Sequence, residues 1–206
     1  TEVLNLRMHE STLEDALADT GAQKEFVVLG LSKGTVLLFH VAQLTQLYCR
    51  FTVHRDKIKI IRYLPNTRTF VTVCKEGNFK FWQIAEDRKV NVLLSFKMAE
   101  KKICKVHLVA PGYFRHDAAY PSDRILVVFA TGESELYDFQ KGSPVLTPEG
   151  ETCDSNLYLV ENEKQKEHDS KVSGVDSNRF ARLIVTADVS GYVRLWSLDK
   201  RFMREI

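Results

Sequence analysis

Six histidines, His9, His40, His54, His107, His116 and His168, are the side chains of this 206-residue chain best suited to acid–base work or metal ligation. No two of them have the i, i+4 spacing that sets a pair of imidazoles on one helical face around a metal. His107 and His116 near Asp117 offer a loose cation set, but loop histidines of this kind are ordinarily solvated, and no metal or cofactor is expected. GLSKGT around Gly34 has the composition of a phosphate-cradling loop. It lacks the Gly-Lys-Ser/Thr order and a following helix, so it reads as a hairpin turn. Carboxylates are scattered, with no pair at suggestive spacing. Nucleophile, base and orienting group are not seen to converge, and the expectation is that the chain is not an enzyme.

The remaining chemistry-bearing residues fall into a repeat. Gly34, Gly77, Gly132 and Gly191 each precede an aromatic by five positions: Phe39, Trp82, Tyr137 and Trp196. Each glycine follows an apolar run and opens an alternating one, as in FVTVCKEGNFKFW and LIVTADVSGYVRLW, which predicts a β-hairpin around it. His54 precedes Gly77 by 23 positions, and His168 precedes Gly191 by the same 23. The glycines are 43, 55 and 59 apart, a unit of about forty residues with several strands per copy, which points to propeller blades rather than a helical solenoid. Four strands are expected in each of four copies, from VLNLRM at 3–8 to RFMREI at 201–206.

The stretches opening at His54 and His168 resemble WD-repeats: a histidine, a strand, a Ser/Thr-containing strand, an Asp-Gly turn and a strand ending in tryptophan. The matching positions are His54, Thr72, Glu76 and Trp82 in one copy and His168, Thr186, Ser190 and Trp196 in the other. The resemblance implies a buried network running from indole to hydroxyl to imidazole to carboxylate, favourable only when every member finds a partner. Glu76 is one methylene longer than aspartate and Ser190 has no carboxylate, so water or Asp188 is expected to complete the second network. The other two copies diverge, with Leu29 and Val127 at the hydroxyl position and Phe39 and Tyr137 in place of tryptophan. The implied fold is an all-β, WD-repeat-type β-propeller of about four blades of four antiparallel strands. The whole chain, 1–206, is one propeller segment with blades at about 1–53, 54–98, 99–167 and 168–206. Propellers of this family have about seven blades, so the segment is expected to belong to a larger propeller, with the remaining blades in the same chain.

Composition narrows the function. A net charge of +2, with Lys and Arg dispersed, argues against nucleic acid, and no apolar run is long enough to span a membrane. The chain opens at Thr1 without methionine or a signal segment, as a processed or excerpted piece would. Cys49, Cys74, Cys104 and Cys153 are far apart and form no C-x-x-C pair, which favours buried, reduced thiols in an intracellular protein over disulfides. The resemblance implies a non-catalytic scaffold for protein–protein assembly. Its divergence and insertions are similar to the long WD-repeat proteins of large assemblies, including the axoneme of motile cilia, which implies a cytoplasmic or cytoskeletal location. The alternative is a ligand or chemistry in a central channel, served by Lys57, Lys59, Lys102 and Lys105; lysines that snorkel from strand ends are the competing explanation.

Partner contacts are expected at two places. Turns between second and third strands carry Lys33, Lys75 and Glu76. Segments leading into first strands carry Arg55, Asp56, Lys57, Asp169, Ser170 and Lys171, and both sets should share one face. The insertion at 111–123 carries Tyr113, Phe114 and Tyr120, either as anchors for a partner on the opposite face or as rings packed on a neighbouring blade. Insertions at 10–24, opened by the capping-box spacing Ser11 to Glu14, and at 141–167 read as a short helix or loop and as connections.

Overall fold

A computed structural model of the protein describes residues 2–9, 23–85, 88–98, 102–109, 122–141, 156–160, 168–178, 182–198 and 201–206. Sheet one comprises β1 (Glu2–His9), β2 (Gln23–Gly30), β3 (Thr35–His40) and β4 (Leu47–Thr52). Sheet two comprises β5 (Ile58–Leu64), β6 (Thr69–Cys74), β7 (Asn78–Ile84) and β8 (Val90–Lys97). Sheet three comprises β9 (Ile103–Val109), β10 (Ser122–Phe129), β11 (Ser134–Gln140) and β12 (Asn156–Leu159). Sheet four comprises β13 (Val172–Asn178), β14 (Leu183–Asp188), β15 (Val193–Ser197) and β16 (Phe202–Glu205). Each sheet is an antiparallel meander in chain order, so the protein is all-β with four four-stranded sheets. The only helical turn among the described residues is a 3-10 turn at Val41–Gln43.

The repeat of glycines has a backbone cause. Gly34, Gly77, Gly132 and Gly191 have φ of 71°, 79°, 88° and 96°, in the left-handed region that other residues enter at a cost. Each amide donates to the carbonyl three residues back (Leu31, Cys74, Phe129 and Asp188) at 3.1–3.3 Å. A turn followed by a left-handed glycine is the geometry of a longer hairpin loop with a bulge, rather than a two-residue turn. Two of these glycines also lie against the next sheet's lead-in segment. A Cβ on Gly34 would stand 1.9 Å from the His54 carbonyl oxygen, and one on Gly132 would stand 2.2 Å from that of His168.

Strict alternation fails at two recurring places, in fourth strands at Tyr48, Leu93 and Met203 and in first strands near the hairpins. Lys59, Cys104 and Ser173 are the extra residues of β-bulges in the first strands of sheets two, three and four. The bulges lie opposite Cys74, Phe129 and Asp188 respectively, the residues three before each hairpin glycine. A bulge increases twist and re-aims the side chains beyond it, so period-two reading across Lys57–Lys59 or Lys102–Lys105 does not give a shared direction.

Successive sheets pack face to face through the faces that alternation defines. Val28, Val36 and Leu38 of sheet one meet Ile58, Ile61, Phe70 and Trp82 of sheet two, all buried. Val71, Val73, Phe79 and Phe81 of sheet two meet Ile125, Val127, Phe129 and Phe139 of sheet three, with Phe81 stacked on Phe139 at 4.4 Å. Leu126, Val128 and Leu136 of sheet three meet Ile184 and Trp196 of sheet four. First strands approach first strands: β1 with β5, β5 with β9, and β9 with β13.

Several expectations fall on residues outside those described: the capping-box segment around Ser11 and Glu14, the aromatic trio Tyr113, Phe114 and Tyr120, and His116, Asp117 and Cys153. Two boundaries move. Ser122 and Asp123, assigned to an insertion by the sequence, belong to β10, and Gln23 and Lys24 belong to β2. In each case strand pairing extends the element past the polar residues that suggested a loop.

Candidate functional site

Two polar networks occupy equivalent positions in sheets two and four. In sheet two the Trp82 indole N–H donates to Thr72 Oγ1 at 3.1 Å, and His54 Nε2 lies 2.9 Å from the same oxygen. In sheet four Trp196 donates to Thr186 Oγ1 at 2.8 Å, and His168 Nε2 lies 2.8 Å from that oxygen. In sheet two the Thr72 hydroxyl donates to the Lys80 carbonyl at 3.5 Å. In sheet four a carboxylate facing Nδ1 holds the ring proton there and makes Nε2 the acceptor of the hydroxyl proton. That ring proton meets Asp188 Oδ2 at 3.0 Å. All of Trp82, Thr72, His54, Trp196, Thr186, His168 and Asp188 are buried.

The expected carboxylate positions need correction. Glu76 and Ser190 sit exposed in the hairpin loops, just before the glycines, and neither side chain bonds a histidine among the described residues. The position on the same strand face as the threonine lies two residues after it, and there sheet four has Asp188 and sheet two has Cys74. Asp188 takes the water-or-Asp188 role expected beside Ser190, and its Oδ1 accepts from the Ser190 and Tyr192 amides at 2.9 and 3.1 Å. Burial alone would raise the Asp188 carboxyl. Donors around it, including the His168 ring and these two amides, outweigh burial and hold it below its usual value. Ser170 Oγ lies close enough to act on that carboxylate, although it forms no hydrogen bond of ordinary geometry.

In sheet two the thiol of Cys74 accepts from Asn78 Nδ2 at 3.4 Å and leaves His54 without a carboxylate partner among the described residues. Burial, reinforced by Lys80, pushes His54 down to about 4, against smaller opposing effects of Thr72 and Asp56. Placing Thr72-x-Cys74 beneath Thr186-x-Asp188 was the signal that would have shown this. Cys49, Cys74 and Cys104 are free thiols, and burial raises Cys49 to about 11.

A third polar site was missed. The buried Asp123 carboxylate accepts from the amides of Asn66 (3.2 Å) and Thr67 (2.8 Å) and from the Thr67 hydroxyl (2.7 Å), tying the β5–β6 turn of sheet two to β10 of sheet three. Burial raises this carboxyl, and the three donors offset part of the rise.

Hairpins and lead-in segments gather at one end of the sheets. The Gly34 carbonyl accepts from the amides of Val53 and His54 at 3.0 and 3.2 Å, and the Lys75 amide donates to the Lys57 carbonyl at 2.8 Å. Ala130 and Val189 make the corresponding bonds to Lys102 and Lys171 at 2.8 and 3.0 Å. Lys33, Arg55, Lys57, Lys75, Asp169 and Lys171 are exposed there, and Asp56 and Ser170 are half-buried. The four inner lysines do not share one mouth. Lys105 Nζ donates to the Ser173 carbonyl of the next sheet, whereas Lys59 and Lys102 line a cavity with Lys75 and Lys97.

One grouping superficially suits nucleophilic chemistry. His107 Nε2 lies 2.9 Å from Ser177 Oγ and 4.0 Å from Asp176 Oδ1. An activated serine needs its base oriented by a carboxylate on the opposite ring nitrogen, and here both partners address Nε2. The contact joins β9 to β13, as the Arg62 Nε bond to the Val106 carbonyl (3.0 Å) joins β5 to β9.

The fold thus defines an all-β protein of four successive meander sheets, with a His–Thr–Trp network repeated in two of them. No model of a known family matches the chain, and no curated protein matches it. No helix among the described residues is long and apolar enough to cross a membrane.

Proposed function

We propose that the chain is a WD-repeat-type β-propeller segment that acts as a non-catalytic scaffold in a large intracellular assembly. The observation that carries this reading is the recurrence of one blade plan. Four meander sheets follow one another, neighbouring first strands lie side by side, and the His–Thr–Trp register is identical in sheets two and four. The end formed by hairpins and lead-in segments is tied together by backbone hydrogen bonds and mixed in charge, which suits steering and specificity towards a protein partner.

The two outer sheet faces support membership of a larger ring. Val27, Leu29 and Phe39 of sheet one, and Val185, Ala187, Val193 and Leu195 of sheet four, are half-buried, although their equivalents in sheet two, Phe70, Thr72, Trp82, Val71, Val73, Phe79 and Phe81, are buried. Sheet four also carries exposed Val189, Tyr192, Phe202, Met203 and Ile206. Apolar faces of this kind call for cover, and further blades of the same chain are the proposed cover. The ciliary axoneme is the assembly we propose to examine first, on the strength of the sequence resemblance. Tyr113, Phe114 and Tyr120 remain a proposed second contact.

The test is affinity purification of the tagged full chain from ciliated cells, followed by gel filtration. Stoichiometric co-eluting proteins are expected, and Lys33→Glu with Lys171→Glu should deplete them without changing far-UV circular dichroism. A chain that elutes alone would overturn the scaffold reading.

A further inference from the structure

We infer that the seam between sheets two and three carries a binding site for an acidic peptide segment of a partner protein, seated in a cavity ringed by Lys59, Lys75, Lys97 and Lys102. The cavity is about 260 Å³. That volume holds one or two side chains and is small for a cofactor. Its walls come from both sheets: Lys59 is the bulge residue of β5, Lys75 belongs to the β6–β7 hairpin, Lys97 ends β8 and Lys102 leads into β9. All four lysines are exposed, and none is ion-paired with a described residue. Among the described residues of the lining, Glu76 is the one carboxylate.

Two features make this more than a solvated basic patch. Lysines gathered round one concavity repel one another over distances shorter than the Debye length of about 8–10 Å, and an anion in the centre relieves that repulsion. The second is the floor, where Ile60, Val73 and Ile103 are buried apolar residues beneath the charged rim. At the floor, Cys74 also stands where sheet four has the Asp188 carboxylate, so the local field is uncompensated by a buried negative charge of that kind.

A charged rim over an apolar floor matches a phosphorylated serine or threonine, or a pair of acidic side chains, with an apolar residue alongside. Nucleic acid is less well matched, because it presents phosphates at regular spacing and calls for an extended basic stripe, whereas these lysines surround a single recess. A flat lipid surface would reach the rim but not the floor. The inference deepens the scaffold reading and rests on it.

Fluorescence anisotropy of the full chain tests the site with three fluorescein-labelled probes: a short acidic peptide with phosphoserine before leucine, its glutamate counterpart and its unmodified serine form. The expected result is salt-sensitive binding of the phosphoserine or the glutamate peptide, with the serine form at least about tenfold weaker, because a neutral hydroxyl cannot form charge-assisted hydrogen bonds with the lysines. The two anionic probes distinguish phosphate from carboxylate as the source of charge. Lys59→Glu with Lys102→Glu should abolish binding, Lys59→Gln with Lys102→Gln should weaken it, and Arg204→Glu on the exposed edge strand of sheet four should leave it unchanged. Equal binding by all variants, or tighter binding of single-stranded DNA or anionic vesicles than of any peptide, would overturn the inference. Retention of every co-purifying protein by the Lys59/Lys102 variants would overturn the cavity while leaving the scaffold standing. A chain that co-purifies with nothing yet binds the peptide would instead count against the scaffold alone.

Discussion

At the residue scale, the two networks differ in one atom group, and that difference predicts distinct responses to acid. His54 is buried neutral and pushed down to about 4 from an ordinary 6.5, so the unfolded chain takes up a proton first. Its contribution to stability is full above about pH 6.5 and is lost as pH falls from there towards about 4. His107, also lowered by burial, acts in the same direction. Asp188 is depressed, so its contribution persists below that range and is lost only as pH falls through its lowered value. Urea midpoints measured against pH should therefore decline between pH 6.5 and 4, and His54→Gln should flatten part of that decline. Cys74→Asp supplies the missing carboxylate and should raise the His54 titration midpoint by about one unit or more, read by NMR of the imidazole. An unmoved midpoint would mean that position 74 is not the counterpart of Asp188. His168→Ala leaves the Thr186 hydroxyl unpaired in a buried site and should cost on the order of 1–3 kcal/mol by equilibrium unfolding.

At the element scale, the hairpin glycines separate two effects that sequence presents as one. Gly191 has open space around it, so Gly191→Ala should cost about 1–2 kcal/mol for the left-handed backbone alone. Gly34→Ala adds collision with the His54 carbonyl, and its unfolding midpoint should fall further than that of Gly191→Ala. Equal losses would show that the lead-in segment of sheet two yields easily. The strands themselves were legible because alternation and turn residues are local signals. All sixteen expected strands occur, the first and last with ends within one residue of 3–8 and 201–206. The bulges at Lys59, Cys104 and Ser173 were not legible, since an extra residue leaves no compositional mark and is fixed by pairing with the neighbouring strand. The same holds for Asp123, whose polar type suggested a loop until its three donors from the β5–β6 turn were in place. Glu76 and Ser190 were misplaced because the family pattern was matched to the turn tip rather than to the strand face carrying Thr72 and Thr186.

At the scale of the whole molecule, the outer faces of sheets one and four should govern behaviour in isolation. The chain alone should self-associate with rising concentration in light scattering, and Val185→Lys with Leu195→Lys should reduce that association while preserving the circular dichroism of the sheets. A dilution-independent monomer would instead indicate faces already covered. The central claim concerns what the hairpin end does in its native setting, and cross-linking mass spectrometry of the purified native assembly tests it most directly. The account predicts lysine cross-links to other proteins from Lys33, Lys57, Lys75 and Lys171, with those from Lys75 extending to Lys59 and Lys102 at the neighbouring seam. Cross-links confined to lysines at the far end of the sheets, Lys89 before β8 and Lys141 after β11, with the hairpin end unoccupied, would contradict it.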